Sequence, residues 1–220
     1  MSRTNRFPSN RRLASHRPIP VQSRSVARDS RPVAAFRQRC ADFDVQVEDF
    51  NAPETWHPTC SASRVRYVQQ PAGRGFRHAV SADEVRQRLA QLPGRFIRDL
   101  EVVQFSAMTK KRQIFPCYGM QWGTSVYLYP IEESLVEIYS RPPTPQQQIE
   151  AKMFGGRWSH NGKLWSLTWS DEAIRDFYLN NVLIHEIGHL NDARNTSSRD
   201  RERFANWFAI EYGYRPTRKS

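Results

Sequence analysis

Residues 171–190 constrain this chain more than any other stretch. Ile174, Phe177, Leu179, Val182, Leu183, Ile184, Ile187 and Leu190 fall on every side of a helix begun at Asp171, and a helix that is apolar all round is a buried one. Thr168 or Ser170 supplies the N-cap, and Asp171 and Glu172 lie in the first turn, where their charge complements the helix dipole. Into this central helix are set three side chains that burial disfavours, in the segment His185-Glu186-Ile187-Gly188-His189.

Those three side chains need a chemical reason to be there. His185 and His189 stand four residues apart on one face, so both imidazoles can reach a single metal ion at about 2.0–2.1 Å. Glu186 is turned about 100° from His185, which sets its carboxylate beside the metal position. Zinc in such a site lowers the pKa of a water in its open coordination position toward about 7, and a flanking carboxylate can take the proton and later deliver it to a leaving amine. With 6 histidines in the chain, His-Glu-x-x-His arises by accident on the order of once in a hundred such chains. Gly188 points the same way, since glycine inside a helix costs about 1 kcal/mol relative to alanine and marks the close approach of another element.

Catalytic zinc keeps three protein ligands and one open position. No histidine follows His189, so the third ligand is sought among carboxylates. A closing helix over 199–212, capped by Ser197 or Ser198, offers Glu202. Ala205 and Ala209 share one face of it and would allow close packing, while Phe204, Trp207 and Phe208 would anchor the neighbouring face in the core. The loop of residues 191–196 is short enough to keep the two helices adjacent. Asp192 is the other candidate, on the face of His185 and His189 but nearly a turn further along the axis.

Upstream, Ser81-Ala82-Asp83-Glu84 has the pattern of a capping box, followed by Val85, Leu89 and Leu92 at helical spacing and a stop at Pro93-Gly94. Strands are expected over 100–105, 114–121, 125–131 and 135–139, which are rich in Val, Ile, Tyr and Phe. A helix over 144–154 follows. Residues 158–169 then read as a hairpin turning at Asn161-Gly162, a pair suited to the positive φ of a type I′ turn.

Charge is distributed unevenly. Residues 1–40 hold ten arginines and one acid, Asp29, and so carry +9 of the chain's net charge of +11. With four prolines and only scattered apolar residues, this tail cannot bury enough surface to offset the entropy of ordering, and disorder is expected. A functionless extension and an organelle transit peptide are two readings; as a contact for nucleic acid, its arginines would neutralise phosphates. Residues 41–80 form an irregular lead-in, acidic at Asp42, Asp44, Glu48 and Asp49. There the pair His57 and Cys60 has the look of half a metal site, but no second half of matching spacing follows, which argues against one. The organised domain is expected over 81–215.

Three cysteines, Cys40, Cys60 and Cys117, show no paired spacing, which argues against a disulfide framework and for a reducing, cytoplasmic setting. No apolar run approaches the roughly 18 residues of a membrane span, and no secretory signal opens the chain.

The His185–His189 segment, followed by Glu202-Arg203-Phe204-Ala205-Asn206-Trp207-Phe208-Ala209, resembles the gluzincin metallopeptidases. The likeness is strongest to the ImmA/IrrE type, in which an E-x-x-A-N-x-F-A helix follows the HExGH helix, and it covers about residues 171–212. The resemblance implies a zincin-like α+β fold, in which a small twisted mixed sheet packs on the buried HExxH helix and a glutamate-bearing helix follows. It further implies Zn2+ held by His185, His189 and Glu202, with Glu186 as catalytic base in the hydrolysis of protein or peptide substrates. In such a fold an exposed strand edge, from 125–131 or 135–139, would pair with the substrate, and Tyr212 or Tyr214 would be available to stabilise an oxyanion.

Overall fold

The computed structural model describes residues 52–59, 64–114 and 116–218. The expectation of a disordered, nucleic-acid-binding tail over 1–40 falls outside those residues, as does Cys60.

The fold is mixed α+β, built on a four-stranded sheet. Strands β1 (Arg66–Gln69), β3 (Val102–Phe105) and β5 (Ser125–Leu128) run parallel, and β4 (Gly119–Trp122) is antiparallel to β5 at one edge, giving the order β1-β3-β5-β4. All four residues of β3 and of β5 are buried, as suits strands covered on both faces. The crossover from β1 to β3 carries β2 (Phe76–Arg77) and two helices, α1 (Ala82–Ala90) and α2 (Gly94–Ile97). β2 pairs with β6 (Ile131–Glu132). A second antiparallel sheet of order β7-β9-β8 is made by β7 (Val136–Tyr139), β8 (Arg157–His160) and β9 (Trp165–Thr168).

The expected capping box at Ser81 is formed, and a second one, not anticipated, opens the helix after Thr144. Ser81 and Glu84 exchange bonds at the start of α1, and Thr144 and Gln147 do so at α4 (Pro145–Met153). The hairpin over 157–168 is present, but its turn is not type I′. Four residues separate His160 from its partner Trp165, and of Asn161 and Gly162 only Gly162 takes a positive φ. The Asn161 side chain instead accepts from the amides of Lys163 and Leu164, folding the loop around itself.

Organised structure begins before Ser81, since β1 is part of the main sheet. Its sequence Arg-Tyr-Val-Gln has no alternation and is only half-buried, so no period marks it as a strand. The segment at 52–59 is also anchored, on the face of the sheet turned away from the main core. There Cys117, Met120, Tyr127 and Tyr129 form a separate buried cluster. The buried Arg112, from the short helix α3 (Lys110–Ile114), lies 4.4 Å above the Tyr129 ring and pairs with Glu54 at 2.8 Å. Tyr129 donates to the same carboxylate at 3.0 Å. His57 bonds Gln104 at 2.6 Å and stacks on Tyr127, so its role here is structural.

The helix expected over 171–190 is a continuous helical run with a defect inside it. α5 (Asp171–Phe177), capped by Ser170, passes into a π-helical turn at Tyr178–Val182 and then into α6 (Leu183–Leu190). The closing helix repeats the arrangement: α7 (Ser198–Phe208), capped by Ser197, enters a second π-helical segment at Ala209–Tyr214 before the single turn α8 (Arg215–Thr217). The two π segments touch. A Cβ on Gly213 would fall 1.9 Å from the Asn180 carbonyl oxygen, so only glycine fits there. Buried Arg88 of α1 ties them together, donating from Nε to Asn180 Oδ1 at 2.6 Å and from Nη2 to the Tyr212 carbonyl at 2.5 Å. α6 and α7 cross where Gly188 faces Ala205. A Cβ on Gly188 would meet Ala205 Cα at 2.9 Å and Phe208 Cβ at 3.0 Å. Phe208 is buried as expected, but Trp207 is 49 % exposed and does not anchor the core, because it lies off the face that Ala205 and Phe208 present to α6. No helix among the described residues is long and apolar enough to cross a membrane.

Two outcomes follow from this packing. Gly188→Ala would push α7 off α6 and lower stability by about 1–3 kcal/mol, visible as a fall in Tm. The second concerns Glu54: burial pushes its carboxyl up, but the Arg112 charge and the bonds from Arg112 and Tyr129 outweigh that and hold it below the usual carboxylate range. The stabilisation is therefore complete above the unfolded-state value of about 4.3 and fades as pH falls through the lower folded value. Glu54→Gln is expected to cost roughly 1–3 kcal/mol at neutral pH, with the difference from wild type in denaturant melts closing as the medium is acidified.

Candidate metal centre

α6 carries His185 and His189 one turn apart, and the crossing at Gly188 brings the first turns of α7 alongside. Glu202, four residues into α7, meets both histidines. His189 Nε2 is 2.8 Å from Glu202 Oε1, His185 Nε2 is 3.4 Å from Glu202 Oε2, and the two Nε2 atoms are 3.0 Å apart. One ligand atom from each of the three residues lies within 4.8 Å of the others, close enough to hold one metal ion. Four-coordinate zinc with ligands at about 2.0–2.2 Å separates neighbouring donors by about 3.3 Å, close to the separations found here.

Asp192, the other carboxylate considered, is used elsewhere. Its side chain accepts from the Asn195 backbone and amide group and closes the loop between α6 and α7. Asn191 braces the same loop by donating to the carbonyls of Phe96 and Ile187. Neither the loop nor the helix ends bring Asp192 to the histidines.

The three converging groups share charge. Burial alone would push the Glu202 carboxyl up, yet hydrogen bonds from His185 and His189 and their charge hold it far below the usual carboxylate range. Burial works against a charged imidazole at His189, but the bond to Glu202 and the negative charges of Glu186 and Glu202 prevail and raise it. Two imidazole nitrogens facing each other at 3.0 Å need a proton, or a cation in its place, between them. The donor set of two nitrogens and a carboxylate oxygen therefore fits a divalent cation.

Glu186 is buried beside this group, and β4 lies directly over it. A Cβ on Gly119 would sit 2.9 Å from Glu186 Oε1 and 2.7 Å from Val182 Cγ1, so glycine is what lets the strand approach. Residues 117–123 form one wall of a cleft of about 480 Å³, with Glu186, the three converging residues, Ser198 and Arg201 along the other. The edge beside the site is thus β4. The two stretches expected to supply it do not: β5 is interior, and β7 belongs to the second sheet. Nor do Tyr212 and Tyr214 reach the cleft, since Tyr212 packs on Phe96 and Phe208 and Tyr214 on Phe154. Tyr118 does line it, with its hydroxyl donating to buried Glu137 at 2.9 Å. Gly119 carried a signal that was available: glycine inside a strand often marks the close approach of another backbone or a ligand.

Comparisons with protein-family models, with curated proteins and with solved structures each found no match.

Metal titration checks the centre. The chain is expected to bind one equivalent of divalent metal, and His189→Ala or Glu202→Ala should weaken binding by more than the roughly 10–100-fold typical of losing an outer partner. Asp192→Ala should leave it unchanged.

Proposed function

We propose that this chain is a zinc-dependent metallopeptidase of the gluzincin type, with the zincin-like arrangement that its resemblance to the ImmA/IrrE proteins implies. The convergence of His185, His189 and Glu202 beside Glu186, on the floor of a cleft walled by a strand edge, carries the reading. Zinc suits this donor set of imidazoles and one carboxylate. Bound there, it would supply Lewis acidity toward a peptide carbonyl and acidify a water in its open position.

The residues of the chain would do the rest. His185, His189 and Glu202 hold the ion on two rigid helices whose separation is set by the Gly188–Ala205 crossing. Glu186 takes a proton at its carboxylate and returns it to the leaving amine. Its side chain packs against Gly119 next to Val182. The outer edge of β4 offers backbone donors and acceptors to an extended peptide, and the burial of Glu186 and His185 limits the water that reaches the reacting bond.

Replacing the base while keeping the metal separates this reading from a structural or purely binding role. Glu186→Gln should retain one equivalent of zinc and lower kcat on a protein or peptide substrate by about 10²–10⁴. Full cleavage by the zinc-loaded variant would refute the assignment.

A further inference from the structure

The cleft holds a cationic group that the chemistry above does not use. Arg201 stands one residue before Glu202 on α7 and lines the same cleft. Its Nε is shut off from solvent and has no hydrogen-bond partner. Its Nη2 reaches Gln121 Oε1 only at 3.5 Å, the outer limit of such a bond. Among the described residues no carboxylate is paired with it. The nearby Asp192 accepts from Asn195, whereas Arg112 and Arg175 lie within ion-pair distance of Glu54 and Glu84.

A guanidinium is a planar fork matched to a carboxylate, and a donor left without an acceptor in a buried setting is costly. Both facts call for an acceptor brought by whatever enters the cleft. The strand beside it gives the position. Gly119 and Gln121 lie on the same face of β4, two residues apart, Gly119 against Glu186 and Gln121 against Arg201. Strand residues advance about 3.3 Å each, so a peptide paired along β4 that presents its scissile bond at Glu186 has the residue two positions away beside Arg201.

We infer that Arg201 is a specificity-determining residue that selects a peptide carboxylate two residues from the cleaved bond, on the Trp122 side of the cleft. The carboxylate belongs either to an acidic side chain or to a free C-terminus. Exposed Trp122 and Ser198 flank the position and leave room for it. The inference rests on the peptidase reading for the register and on Arg201 alone for the charge preference.

The test uses the full zinc-loaded chain and internally quenched peptides in matched pairs. One pair replaces Gln by Glu at a scanned position, with the C-terminus amidated; the other keeps a neutral sequence and compares a free with an amidated C-terminus. One of the two pairs should show a roughly ten- to hundredfold higher kcat/KM for the carboxylate-bearing peptide, and which pair responds identifies the source. In Arg201→Gln that ratio should fall to about one, in Arg201→Lys it should be partly kept, and Arg201→Glu should favour Lys-bearing peptides. Binding of the same peptides, fluorescently labelled, to zinc-loaded Glu186→Gln with and without Arg201→Gln tests the preference where no turnover is seen. Absence of cleavage with an Arg201-dependent carboxylate preference in binding would refute the peptidase reading, and with it the register, and uphold Arg201 as the carboxylate-selecting group. Equal use of acidic and neutral peptides by wild type in cleavage and binding, or a preference that survives Arg201→Gln, would overturn it.

Discussion

The crossing of α6 and α7 at Gly188 and Ala205 is the contact on which the site depends. Backbone meets backbone there, with no room for a methyl group between, so the helices cannot slide or separate without opening a void in the core. His189 and Glu202 lie within a turn of that contact on their own helices. Their 2.8 Å separation is inherited from it. Holding a metal-binding set together by helix packing, with short side chains at the crossing and the functional ones just beyond, lets the ligands stay short and their rotamers few.

A second constraint acts at the far end of the same helix pair. Each helix contains a π-helical segment, a rare feature that often marks functional sites, and the two lie against each other through Gly213 and the Asn180 carbonyl. Burying a guanidinium is unfavourable unless its donors are satisfied, and Arg88 meets that condition by bonding one group from each π segment. Desolvation lowers the affinity of Arg88 for its proton, yet its bonds link the two helices about one and a half turns from His185 on one and nearly three turns from Glu202 on the other.

Much of the site was legible because its signals are local. The spacing of His185 and His189, the caps at Ser81, Ser170 and Ser197, and the glycine at 188 each express a rule that operates within one or two helical turns. Features that depend on distant partners were not legible. β1 has no alternation because its neighbours, not its own pattern, decide its burial. The stretch expected as a strand over 114–121 proved to be the end of α3, with Ile114 exposed, and then β4 after Pro116. Which strand lies at the sheet edge is a property of topology, and propensity carries no information about it. The π segments likewise meet at Asn180 and Gly213, residues far apart in the chain.

The strap at 52–59 bears on where this protein can be cut. It contributes no strand or helix, yet it supplies the counter-ion for Arg112, the acceptor for the Tyr129 hydroxyl and the ring stacked on Tyr127. A fragment trimmed to the start of β1 would retain every regular element described. It would also leave a tyrosine-rich sheet face wet and a guanidinium without its anion, on the sheet whose edge strand forms the cleft wall. The smallest autonomous piece of this chain is therefore larger than its secondary structure suggests.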